Sequence, residues 1–134
     1  MAFASMTHLM GIILTFSGLP ASCPPAPRDT NAIGPVFRVL HNGNTVTAYD
    51  WLSHQARGEV LKPGMDPCRF ASLSLFKDPS VVKKYKNLKD KTHAAELHIP
   101  ADVGAHTTKK NGHVDFWCAD GNVVSGYVAQ IVSI

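Results

Sequence analysis

The stretch Cys68-Arg69-Phe70-Ala71-Ser72-Leu73-Ser74-Leu75-Phe76-Lys77-Asp78-Pro79 does most to constrain what this chain can fold into. Large apolar groups at Phe70, Leu73, Leu75 and Phe76 predict a buried strand. Asp78-Pro79 then predicts an immediate helix start, because aspartate caps the first free N–H groups and proline suits the first helical position. Alternate side chains of a strand share a face, so Ser72 and Ser74 point the same way. Two small hydroxyls on one face of a buried strand leave room for a ligand.

The sequence has 134 residues, enough for one hydrophobic core. Its net charge of +3 admits an anionic ligand. No stripe of arginines marks a nucleic-acid binder, and no DNA partner is expected. Seven histidines stand against two glutamates, Glu59 and Glu96, so acid–base chemistry falls to histidine or aspartate. Cys23, Cys68 and Cys118 form no C-x-x-C pair, which excludes a four-cysteine zinc site within the chain. In an oxidising compartment Cys68 and Cys118 are free to pair. In a reducing one they read as small buried hydrophobes.

Residues 1–32 read differently from the rest. An apolar run, Leu9–Phe16, precedes the small and proline-rich stretch Ser17–Pro27. This is the outline of a secretory signal, and equally of a short N-terminal helix followed by a linker. The first reading places the protein outside the cytoplasm, the second inside it. The run is too short to make a stable membrane span.

The folded domain is expected over residues 33–134. Ile33–Leu40 predicts a strand from which Arg38 emerges into a cleft. Thr47 caps a predicted helix that Gly58 ends, and 60–67 is an exposed loop. A second helix is predicted over 80–88, with Lys83, Lys84, Lys86 and Lys89 facing water. Strands follow at 93–100, 113–118 and 123–134, with 101–112 irregular and Asp120-Gly121-Asn122 a hairpin signal. The expected fold is a small α+β domain, a mixed or mainly antiparallel sheet of about five strands with two helices.

Phe37-Arg38 lies on the first strand, Phe70-Ala71-Ser72-Leu73-Ser74 on a middle one, Glu96-Leu97-His98-Ile99-Pro100 on the next, and His113-Val114-Asp115 late in the chain. This order resembles that of the ADP-ribosyltransferase fold, whose members carry an arginine, a serine motif and a late glutamate on successive strands. The resemblance covers about residues 36–132. It implies NAD, or a related phosphate-containing substrate, held by Arg38, Ser72 and Ser74, with His113 and Asp115 as the catalytic pair. It further implies a bacterial toxin or effector acting on a protein or RNA target. The chemistry is consistent: a guanidinium fork suits a pyrophosphate, and a carboxylate stabilises the oxocarbenium ion left when nicotinamide departs. The chain departs from the family in having no glutamate on its last strands. A histidine there is similar to the RNA 2′-phosphotransferase branch of the fold.

Three other groupings stand beside this one. His106, His113, Asp115 and Cys118 carry metal-ligating atoms. His113 with His98 or His41 is a candidate pair for a histidine-based ribonuclease, whereas His93 and His98 fall on opposite faces of one strand. Phe116 and Trp117 are adjacent and must face opposite ways, so that one of them, with Trp51, is available to a partner. That is the mark of a non-catalytic interaction module of the immunity or accessory type.

Overall fold

A computed structural model describes residues 13–134. Six strands, β1 (Ile33–Val39), β2 (Leu73–Phe76), β3 (His93–Ile99), β4 (Gly104–Thr108), β5 (His113–Cys118) and β6 (Val128–Ser133), form one sheet in the order β4-β5-β2-β1-β3-β6. Every neighbouring pair is antiparallel. Among the described residues one α-helical turn, α1 (Pro67–Phe70), and short 3₁₀ segments complete an α+β fold.

The strand count is six rather than five, and the additional strand is β4. Its residues, Gly-Ala-His-Thr-Thr, lack the large apolar groups that announce a strand. β4 is placed by packing instead. A Cβ on Gly104 would lie 2.2 Å from the Trp117 carbonyl and 2.6 Å from Phe116 Cζ, so only glycine permits the approach to β5. Lys109–Gly112 turns the chain from β4 into β5. Asp120-Gly121-Asn122 is a turn but not a hairpin, because β5 and β6 are not neighbours in the sheet.

Residues directly opposite on paired strands share a face. On β2 and β5 the pairs Leu73–Phe116 and Leu75–Val114 face the core, where they join Val36, Leu97, Ile99, Val103 and Val124. The alternate pairs, Ser74–Asp115 and Phe76–His113, face the other way. β1 and β2 are joined through the single register pair Phe37–Phe76, so the sheet opens between them.

Both expected helices are present as 3₁₀ segments, Ala48–Trp51 and Pro79–Lys84, the second followed by Lys86–Leu88. Ala48–Trp51 stops early because Arg38 takes the carbonyls a longer helix would use. Its Nε–H donates to Asp50 O at 2.6 Å and its Nη2–H to Leu52 O at 3.4 Å. Asp50, fully buried, turns its carboxylate back on the chain and accepts from the His41 and Thr47 N–H groups at 2.6 and 2.8 Å. Asp78 caps the second segment as expected, accepting from Ser80 N–H at 2.9 Å. Tyr85 then adopts an extended conformation and packs edge-on against Phe76, which breaks the helix in two.

Residues Cys68–Phe70, expected as strand, are helical. Asp66-Pro67 is a second cap-and-proline pair, with the Asp66 carboxylate accepting from Cys68 N–H at 2.9 Å.

The proline-rich stretch lies along the domain. Ser17 donates through N–H and Oγ to the Asp120 carboxylate at 3.0 and 2.9 Å, Asp29 bridges to His106, and Asp102 N–H donates to Thr30 O at 2.9 Å. A disulfide joins Cys23 to Cys68, so the pairing differs from Cys68–Cys118, and Cys118 is free and exposed. Residues 1–12, which include half of the apolar run Leu9–Phe16, lie outside the described residues. Among the described residues no helix is long and apolar enough to cross a membrane.

Candidate active site

Where β1 and β2 part, a cleft of about 260 Å³ opens, lined by Arg38, Ser72, Ser74, Phe76, Tyr85 and His113 together with Leu52, Ser53, His54 and Arg57. Four of the five residues expected at the site therefore meet there. Arg38 spans the gap, its Nη1–H donating to Ser74 O at 3.0 Å. A guanidinium has five N–H donors. Three of Arg38's reach the Asp50, Ser74 and Leu52 carbonyls, which leaves two for a ligand. Burial, with the neighbouring Arg57 cation acting in the same direction, lowers the Arg38 pKa to about 10, so the group is still charged at neutral pH.

Asp115, the fifth residue, does not line this cleft. It lies behind His113, almost wholly buried, with Arg69 Nε–H at 3.2 Å and the Ser72 hydroxyl at 3.3 Å. Ser72 Oγ also stands 2.7 Å from Arg69 O, and its one proton goes to this shorter contact. His113 Nδ1 is 3.5 Å from Asp115 Oδ1, close enough for an ion pair but without hydrogen-bond geometry, so this buried nitrogen has no partner. Burial holds the imidazole below its ordinary pKa of 6.5 against the opposing pull of Asp115, and it is neutral at neutral pH. Asp115 faces a second hollow of about 420 Å³, lined also by Asp66 and Arg69, which shares His54, Ser74 and His113 with the cleft.

Several cleft residues had no place in the sequence reading. His54, Arg57, Tyr85 and Lys91 line it alongside His41, which had been paired with His113 only as a ribonuclease candidate. Arg38, Arg57 and Lys91 bring three cations, and no aspartate or glutamate lines the cleft itself, although Asp50 lies near Arg38 and Glu59 near Arg57. Arg57 and Lys91 carry no local signal, because one follows the 3₁₀ segment and the other the lysine-rich turn, and only the fold brings them together. Tyr85 offers its ring at the cleft wall, beside Phe76.

The metal grouping does not assemble. His106 stands opposite Phe116, on the core side of β4–β5, while His113 and Asp115 face the other way. His106 Nε2 is 2.9 Å from Asn31 O. Among the described residues no three such side chains are placed to hold a metal ion. Phe116 and Trp117 are both buried rather than one exposed: Phe116 is in the core, and Trp117 Nε1–H donates to Cys68 O at 2.9 Å. No family model matches the sequence, and no curated protein or solved structure matches it significantly.

Proposed function

We propose that this chain is an ADP-ribosyltransferase-like domain that breaks the nicotinamide–ribose bond of NAD. The observation that carries the reading is that Arg38 on β1, Ser72 and Ser74 at β2, and His113 on β5 line one cleft with three cations and no carboxylate. The charge distribution fits both halves of the substrate. The cationic cleft suits the pyrophosphate, and the adjoining hollow, with Asp66 and Asp115, suits the positively charged nicotinamide riboside. Phe76 and Tyr85 supply apolar wall for a ring.

In the reaction the C1′–N bond breaks and nicotinamide leaves with the bonding pair. The positive charge passes to the ribose as an oxocarbenium ion. A water or target nucleophile then adds at C1′ and gives up its proton. With the proton of neutral His113 on Nδ1, toward Asp115, Nε2 is the acceptor. Asp115 lies 3.5 Å from this imidazole and attracts its charged form, and Arg69 holds Asp115.

The test is release of nicotinamide from NAD by the purified chain, measured chromatographically for the wild type, His113→Gln and Ser74→Ala. Turnover that falls at least about a hundredfold in His113→Gln, with the fold intact, supports the reading, since a positioned base contributes about that much or more. Intact NAD after prolonged incubation of a folded sample overturns it and favours an interaction module. A second reading, a histidine-based ribonuclease, rests on His41 and His54 lining the same cleft as His113. Cleavage of single-stranded RNA with NAD untouched selects it.

A further inference from the structure

Among the described residues, two buried side-chain nitrogens have no hydrogen-bond partner, His113 Nδ1 and Arg57 Nε. Both residues line the same cleft. His113 has Asp115 beside it. Arg57 has no comparable explanation, and a buried guanidinium N–H without an acceptor is costly enough to need one.

Arg57 stands close enough to a second cation, Arg38, to act on it. The Arg57 guanidinium stacks over the Tyr49 ring at 4.1 Å, which fixes its plane. The only carboxylate in ion-pair reach among the described residues, Glu59, is 4.0 Å from Nη1, and the same oxygen is engaged by His54 at 3.0 Å. In the same cleft Arg38 retains two uncommitted N–H donors. Two guanidiniums in a cleft without a carboxylate repel each other, and an anion between them removes that cost. The Arg57 cation is in fact one of the influences that lower the Arg38 pKa.

We infer that Arg57 is a phosphate-binding residue, and that it and Arg38 together clamp a diphosphate. This rests on the cleft assignment above and extends it. Arg38 supplies its two remaining Nη–H groups to one phosphoryl group. Arg57 turns its guanidinium, stacked on Tyr49, to the other. Lys91, which also lines the cleft, adds charge without a fixed fork. A monophosphate satisfies only one guanidinium, so the site discriminates for diphosphates.

The test is calorimetric titration of the full chain with ADP-ribose, inorganic pyrophosphate, AMP and adenosine. ADP-ribose and pyrophosphate are expected to bind more tightly than AMP. Arg57→Gln is expected to weaken the two diphosphates about tenfold or more, the loss of a hydrogen bond to a charged group, and to leave adenosine unchanged. A variant that merely deforms the cleft weakens adenosine as well and overturns the assignment. So does Arg57→Gln binding pyrophosphate as the wild type does, or a wild type that binds no diphosphate. If Arg57→Gln does not fold, Arg57→Lys decides, because it keeps the charge and the contact with Tyr49 but has no Nε–H fork. Diphosphate affinity equal to wild type in Arg57→Lys then rejects the clamp. The two readings fail separately. Arg57-dependent pyrophosphate binding with NAD left intact sinks the NAD reaction alone, and NAD cleavage with a KM indifferent to Arg57→Gln sinks the clamp alone.

Discussion

Arg38 donates Nη1–H to the backbone carbonyl of Ser74 at 3.0 Å, across the place where β1 and β2 share a single register pair. A side chain here does work that a β-ladder does elsewhere. It closes the sheet's hydrogen bonding on one side of the gap and, through Asp50 O, anchors the segment that forms the cleft's outer wall. The residue expected to bind substrate is thus also part of what keeps the cleft open.

Arg38→Ala is therefore expected to be a stability variant as well as a functional one. It leaves the Asp50 and Ser74 carbonyls without their donor, at a cost of roughly 2–5 kcal/mol by the usual penalty for stranded buried polar groups. Arg38→Lys restores the charge but not the fork and recovers only part of that. Urea unfolding followed by far-ultraviolet circular dichroism measures both. A loss below about 1 kcal/mol in Arg38→Ala means that water replaces the guanidinium.

The disulfide gives a second expectation. Cys23 and Cys68 are 45 residues apart, and closing a loop of that length stabilises by about 4 kcal/mol in the chain-entropy account. Cys68 also belongs to α1, which presents Arg69 to Asp115. The double variant Cys23→Ser/Cys68→Ser should unfold at clearly lower urea, and the oxidised protein should show one titratable thiol, Cys118. Three thiols in the unreduced, denatured protein contradict the pairing.

The antiparallel sheet and the strands that carry Arg38, Ser74 and His113 were legible because each rests on a local pattern of apolar alternation, whereas Ser72 falls just before β2 rather than on it. The cap-and-proline signal was read at Asp78-Pro79 and missed at Asp66-Pro67, where the apolar Phe70 drew the strand assignment upstream. The helix after Thr47 was shortened by Arg38, nine or more residues away in sequence, and no local propensity contains that. β4 and Arg57 were illegible for a related reason. A strand of small residues against Trp117, and two arginines distant in sequence lining one cleft, are properties of packing.

Gly104 tests the β4 placement. Its missing side chain leaves room for the Trp117 carbonyl, a backbone atom that cannot swing aside. Gly104→Ala should cost about 3 kcal/mol or prevent folding, at the upper end for overpacking. Gly121→Ala is a control for the general effect of losing a glycine: nothing lies within 4 Å of its added Cβ, although its positive φ of 82° carries some strain. Equal losses in the two variants mean that β4 does not approach β5 as closely as described.

His113 makes stability and activity depend on pH in a definite direction. Burial, reinforced by Lys109 and Arg69 and opposed by Asp115, holds its pKa in the folded chain below 6.5, the value expected when the chain is unfolded. Between those two values the unfolded chain binds more protons than the folded one. Stability contributed by this group is then complete above about pH 6.5 and is lost as the pH falls through the window below it. The informative quantity is the difference between wild type and His113→Gln, which cannot take up the proton. Urea unfolding at about pH 7.5 and about pH 5.5 should show a steeper loss in the wild type than in the variant. If His113 is also the base in NAD cleavage, wild-type turnover rises with pH through the same lowered value and levels off before neutrality, since only the neutral imidazole accepts a proton. Wild-type stability that rises relative to His113→Gln as the solution is acidified reverses the sign and removes the buried neutral imidazole from the account.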